Sequence, residues 1–179
     1  FTYAQSKVRR NNATACLSAT EAKDLLQSLK LFRATEAFDF PSGTARYTDH
    51  DLPTMRRNYP ILYLFYQAGY VNLEDNGVHT FSTPTGKGER LNRQYNGNIP
   101  FSTQTLISVN KVTCTKNKAV IDVTISAKPT QTAVTLLGNA IYKTKPFNKN
   151  IKMKQEANRI NGKWKTDEMN LLFTEFSLS

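Results

Sequence analysis

Metal-ligand spacing is the first thing this sequence lacks. Two cysteines, Cys16 and Cys114, and two histidines, His50 and His79, are its whole supply. No CxxC, CxxH or HExxH pairs them, so neither a structural zinc site nor any other metal site is expected. The GxSxG elbow and the GxGxxG dinucleotide fingerprint are missing too, and no cofactor is expected. An ADP-ribosyltransferase would need a paired ExE glutamate motif, and none occurs. Glycine and proline are sparse, at 8 and 7 of 179 residues, which excludes collagen-like and low-complexity chains. The longest apolar run, residues 61–66, is far short of the roughly 20 residues of a membrane-spanning helix. Negative charge is scarce: 14 acidic residues face 24 basic ones, a net charge of +10.

What is present is an ordinary globular composition, 39% hydrophobic and 21% charged, of a length suited to one domain. Residues 1–17 are polar and basic and read as a tail. Residues 18–179 read as a single α+β domain, with a helical part at 18–81, a connecting loop at 82–104 and a sheet part at 105–179. The chain begins at Phe1 rather than Met, which leads to the expectation of an exported protein, periplasmic, envelope-anchored or secreted. In an oxidising compartment Cys16 and Cys114 are expected to form a disulfide, the alternative being two buried free thiols. Asn12-Ala13-Thr14 is a glycosylation sequon that matters only in a eukaryotic secretory setting.

Ser18-x-x-Glu21 is a capping box, and Leu25, Leu26, Leu29 and Phe32 recur at helical spacing, which predicts a helix over 19–33. Residues 39–58 read as a long loop. Pro60 suits a first helical turn, and the run from Ile61 to Tyr66 predicts a helix that is buried almost all round. Asp75-Asn76-Gly77 between two short apolar runs predicts a hairpin. Strands are expected at 105–114, 118–127, 132–143, 151–160 and 163–169. Gly138 would mark a bulge in the third, and Asn161-Gly162 the turn between the last two. Leu25, Leu29, Leu62, Phe65, Ile121, Val123 and Trp164 are the expected core.

Helices leading and strands following predict N-terminal helices packed on a curved antiparallel meander sheet. The stretch Asn161-Gly-Lys-Trp-Lys165 resembles the closing hairpin of cystatin-like and NTF2-like domains. The resemblance spans some twenty residues and implies an architecture only.

The basic charge is uneven. Residues 91–179 hold 13 basic and 5 acidic residues. Within 143–165, Lys143, Lys145, Lys149, Lys152, Lys154, Arg159, Lys163 and Lys165 are opposed only by Glu156. The expected site is therefore a basic face of Lys143, Lys145, Lys152, Lys154, Arg159, Lys163 and Lys165. Its partner would be an acidic protein, an anionic polymer or an anionic surface, with nucleic acid as a further candidate. A solvated sheet face with guarding lysines is the plain alternative. Arg159 and Trp164 are expected to stand opposite each other, stacked for structural reasons or, less simply, around a base.

Four constellations bear on chemistry. Asp49-His50-Asp51 sets carboxylates beside a histidine, but neighbours in sequence rarely face one another, so a polar loop explains it. His50 with His79 permits a small basic ribonuclease using a two-histidine acid/base pair, and this is the alternative function. Thr83-Pro84-Thr85-Gly86-Lys87-Gly88 lacks the second glycine and the hydroxyl of a P-loop. A winged-helix reading of 60–81 fails on the apolar run, which leaves Arg56 and Arg57 at most for phosphate contact. The function expected overall is non-catalytic binding.

Overall fold

The computed structural model describes residues 15–169. Its first helix, α1 (Ala19–Gln27), starts on the expected capping box: the Glu21 N–H donates to Ser18 Oγ, and the Ser18 N–H donates to a Glu21 carboxylate oxygen at 2.8 Å. The predicted single helix over 19–33 breaks, however. The Ser28 hydroxyl donates back to the Leu25 carbonyl at 2.6 Å, a local bond that competes with the helical ladder. Leu29 becomes extended, and α2 (Lys30–Arg33) restarts with its first N–H donating to the Glu168 carboxylate. That acceptor lies 138 residues away, beyond the reach of local pattern.

The expected 39–58 loop is largely structured. It holds the end of β1 (Glu36–Asp39), then β2 (Ala45–Tyr47) and α3 (Leu52–Asn58). Next comes α4 (Pro60–Gln67), which buries Ile61, Leu62, Leu64 and Phe65 as its apolar run requires. The predicted hairpin is β3 (Val71–Asp75) and β4 (Thr80–Pro84), and with β2 it makes a three-stranded sheet ordered β2-β4-β3.

Residues 86–95, expected within an irregular connection, form α5 (Gly86–Tyr95). Thr85 caps it by accepting from the Gly88 N–H. Its sequence is so polar that Leu91 is its one large buried side chain, which left no stripe to read. Asn96 and Gly97, both at positive φ, end the helix. Then β5 (Asn98–Cys114) and β6 (Lys118–Pro129) run longer than predicted.

The strand expected at 132–143 is helical. It is α6 (Gln131–Leu137) followed by a 3-10 turn, Asn139–Lys143. Gly138 is not a bulge but the residue that closes α6, at φ 72°. Apolar β-branched residues suggested a strand, and the cap overrode them. Thr130 Oγ1 accepts from the Ala133 N–H and donates to the Pro100 carbonyl at 2.7 Å. Replacing Thr130 with Ala is expected to cost about 1–2 kcal/mol in urea unfolding, since a cap and a tether go together.

The last pair, β7 (Ile151–Ile160) and β8 (Lys163–Thr166), meets at Asn161 and Gly162, both at positive φ as a two-residue hairpin turn demands. β8 stops three residues earlier than predicted. All pairings in the main sheet, ordered β1-β5-β6-β7-β8, are antiparallel. The sheet curls strongly into a half-barrel, and the predicted α+β class with helices on a curved sheet is the class observed. Register shifts at Leu106/Ser108 and Val109/Lys111 supply bulges that sharpen the curl.

One apolar cluster joins Leu17, Ala22, Leu26, Leu29 and Leu31 to Ile121, Val123, Ile125 and Ala157 on the sheet's inner face. A second gathers Phe38, Phe40, Phe65 and Phe101 with α4 and α6. β5 contributes to both, Ile99 and Phe101 to one and Leu106 to the other. Of the expected core, Leu25 and Trp164 are only half-buried. Cys16 and Cys114 are bonded, with Cα atoms 5.6 Å apart.

Candidate anion-binding face

Strand β6 defines the site. Ala119, Ile121, Val123, Ile125 and Ala127 point inward and are buried. Lys118, Val120, Asp122, Thr124, Ser126 and Lys128 therefore point outward, because the side-chain period of a strand is two. Residues directly opposite across a ladder share a face, so the register carries this assignment sideways. Asp122 lies between Lys111 on β5 and Lys154 on β7, and Thr124 is opposite Lys152. Lys118 is opposite Asn158, which is opposite Lys165, and Ile160 is opposite Lys163.

From β5 to β8 the outer face thus carries Lys111, Lys118, Lys128, Lys152, Lys154, Lys163 and Lys165 against Asp122 and Glu156. Lys154 Nζ, on an exposed side chain, lies 3.9 Å from an oxygen of the half-buried Asp122, too far for a direct hydrogen bond. Among the described residues the other six lysines have no carboxylate within ion-pair distance. Neither arginine nor an aromatic ring occupies an outward position on these strands. The face therefore offers diffuse positive charge, not bidentate forks or stacking platforms.

The structure divides the seven residues expected at the site. Lys152, Lys154, Lys163 and Lys165 share the outer face as the hairpin register predicts. Lys143 and Lys145 are exposed but lie off the sheet, in the connection that leads to β7 through the cis Lys145–Pro146 bond. Arg159 is the correction. It alternates with the lysines and points to the inner face, where its guanidinium lies 6.0 Å from the Trp164 ring and Nε donates to the Gly162 carbonyl at 3.4 Å. It also adds to the forces that hold the Glu21 carboxyl below the usual range, after the Ser18 N–H and hydroxyl. Arg159 therefore belongs to the packing of α1 on the sheet. Sequence reasoning missed Lys111, Lys118 and Lys128; the alternation in β6 was a signal for the last two, but pairing was needed to join them to the rest.

The other constellations are drawn into local structure. Asp51 caps α3 by accepting from the Thr54 N–H at 2.7 Å, which holds its carboxyl below the usual range, with smaller help from the Thr54 hydroxyl, His50 and Arg57. Asp49 accepts from the Asn58 amide. His50 is exposed beside Asp51 at 3.9 Å. His79 is half-buried, with Nδ1 enclosed and lacking a hydrogen-bond partner among the described residues. The Thr80 N–H donates to the Asp49 carbonyl, so the two histidine-bearing segments run side by side, and neither histidine lines the hollow between Leu52 and Tyr63 or the one between Gln27 and Leu106. Arg56 and Arg57 line an open hollow with Leu52, Pro53 and Tyr63.

The Gly86-Lys87-Gly88 stretch is structural. Lys87 Nζ donates to the Ala68 carbonyl at 2.9 Å and sits 4.1 Å above the Tyr70 ring. Among the described residues no group of three histidine, cysteine or acidic side chains is placed to hold a metal ion, and no helix is long and apolar enough to cross a membrane. No family model, curated protein or solved structure matches this chain.

Proposed function

We propose that this is an exported, non-catalytic binding protein that docks an acidic protein or an anionic polymer on the outer face of its sheet. The observation that carries the reading is the gathering of seven lysines and two acids on one face, from stretches as far apart as Lys111 and Lys165. Like charges so close cost stability, and a partner of opposite charge relieves that cost. The outward curl presents the lysines without enclosing a ligand, which suits a macromolecular surface. Lysine without arginine favours long-range attraction over fixed recognition. The Cys16–Cys114 bond is the support for an exported setting, since such bonds persist in oxidising compartments.

The test is charge reversal. Changing Lys152, Lys154, Lys163 and Lys165 to Glu should leave the fold intact and slow association with poly-L-glutamate by at least about tenfold at low salt, with the difference fading at high salt. A control reversing Arg56, Arg57, Arg90 and Arg93 changes the net charge equally and should have a much smaller effect. Equal association of the wild type and the lysine variant at low salt would make the face a merely solvated one.

A further inference from the structure

Among the described residues, the basic face ends in an open strand edge. β8 covers β7 only from Ala157 to Ile160, while β6 covers its other side from Ile151 to Asn158. Beyond Thr166 the chain turns inward. The Thr166 hydroxyl donates to the Glu156 carbonyl at 2.7 Å, the Gln155 amide holds the Asp167 carbonyl, and Met169 is buried in the inner core. Along residues 151–154, no strand among the described residues lies on that side of β7.

The direction of the backbone groups follows from two bonds. The Arg159 N–H donates toward β6, to Asn117, and the Glu156 carbonyl accepts from the β8 side. In an antiparallel ladder a residue's N–H and C=O point the same way, and successive residues alternate. Even-numbered residues of β7 therefore aim at the β8 side. Lys152 and Lys154 hold out two N–H and two C=O groups to that edge, and these have no partner among the described residues.

Resting on the binding function proposed above, we infer that this edge accepts an extended acidic segment of a partner protein as an added strand. The side chains define what fits. On the outer face, an added residue would stand beside Lys152 or Lys154, within the roughly 4.5–5.5 Å Cβ spacing of directly opposed pairs, so acidic residues fit there. On the inner face it would stand beside Ile151 or Met153, which are half-buried at the rim of the inner cluster, so apolar residues fit there. The matching ligand alternates acidic and apolar residues. A second copy of this edge is disfavoured, because it would set lysine against lysine. Main-chain bonds would supply affinity and the alternation specificity, as in other strand additions.

The probe is a short amidated peptide alternating Glu and Val, compared with the same peptide N-methylated along its pairing edge. N-methylation leaves every side chain and charge in place and removes the pairing donors. The unmethylated peptide should slow amide hydrogen exchange at Lys152 and Lys154, expected to be fast in the free protein because no described group accepts from these N–H groups, by at least about tenfold, and should bind at least about tenfold more tightly than the N-methylated one. Lys152→Pro and Lys152→Thr remove the same charge, but proline also removes the edge-facing N–H and restricts the backbone, so Lys152→Pro should weaken peptide binding more than Lys152→Thr, with poly-L-glutamate association alike in the two. Equal binding of both peptides without amide protection would overturn strand addition and leave the basic face standing as a diffuse anion site. Failure of both peptides and of poly-L-glutamate to bind would overturn the binding face and this inference with it.

Discussion

Replacing Cys16 and Cys114 together with alanine is expected to lower the free energy of unfolding by about 4–5 kcal/mol, the largest effect of any substitution proposed for this protein. The bond spans 98 positions, and in the chain-entropy account a loop of that length restricts the unfolded chain by about that amount. The folded state should change little. Leu17, Ala22 and Leu26 still bury α1 against the sheet, and the Ser18–Glu21 capping box still starts it. The loss should therefore appear in equilibrium unfolding by guanidinium, with a steeper denaturant dependence because the unlinked unfolded chain exposes more surface. A near-native circular dichroism spectrum before the transition would accompany it. A loss under about 1 kcal/mol would mean that the α1 segment and the end of β5 stay together without the bond.

Gly88→Ala is expected to destabilise by about 3 kcal/mol, although alanine in a helix is ordinarily the better residue. Gly88 lies in the first turn of α5, and a Cβ there would stand 1.9 Å from the Tyr70 carbonyl oxygen and 3.2 Å from the Phe40 ring. The first obstacle is backbone, so relief requires shifting either α5 or the start of β3. Gly86, two residues earlier in the same helix, meets only an Arg90 nitrogen at 3.9 Å. Gly86→Ala should thus be neutral or stabilise by about 0.4–1 kcal/mol by restricting the unfolded chain. Thermal denaturation of the two variants decides the matter: opposite signs support the close approach of α5 to Tyr70, and equal shifts would remove it.

The capping box at Ser18, the buried run after Pro60, the alternation in β6 and the Asn161-Gly162 turn were all legible, because each signal lies within a few residues of what it specifies. The turn even set the β7–β8 register, and with it the shared face of Lys152, Lys154, Lys163 and Lys165. Elements whose cause lies elsewhere were not legible. α2 begins where Glu168 accepts its N–H. α5 has a polar sequence because it packs through a glycine and one leucine rather than an apolar stripe. α6 takes a strand-like sequence and becomes a helix held by Thr130, which is itself bonded to Pro100.

The same division holds for the candidate site. By itself the sequence determined that the second half of the chain is basic, that its last hairpin sends four lysines to one side, and that only one cysteine pairing exists. Each is a matter of composition or of the two-residue period of a strand, and neither depends on what packs nearby. Tertiary structure alone decided that Lys111, Lys118 and Lys128 join those four, that Arg159 turns inward to Trp164 and α1, and that no strand among the described residues covers the β7 edge at Lys152 and Lys154. Those outcomes depend on which strand lies beside which and where β8 leaves the sheet. Pairing between segments far apart in the chain is set by the burial of a common core, and no local window of residues contains it.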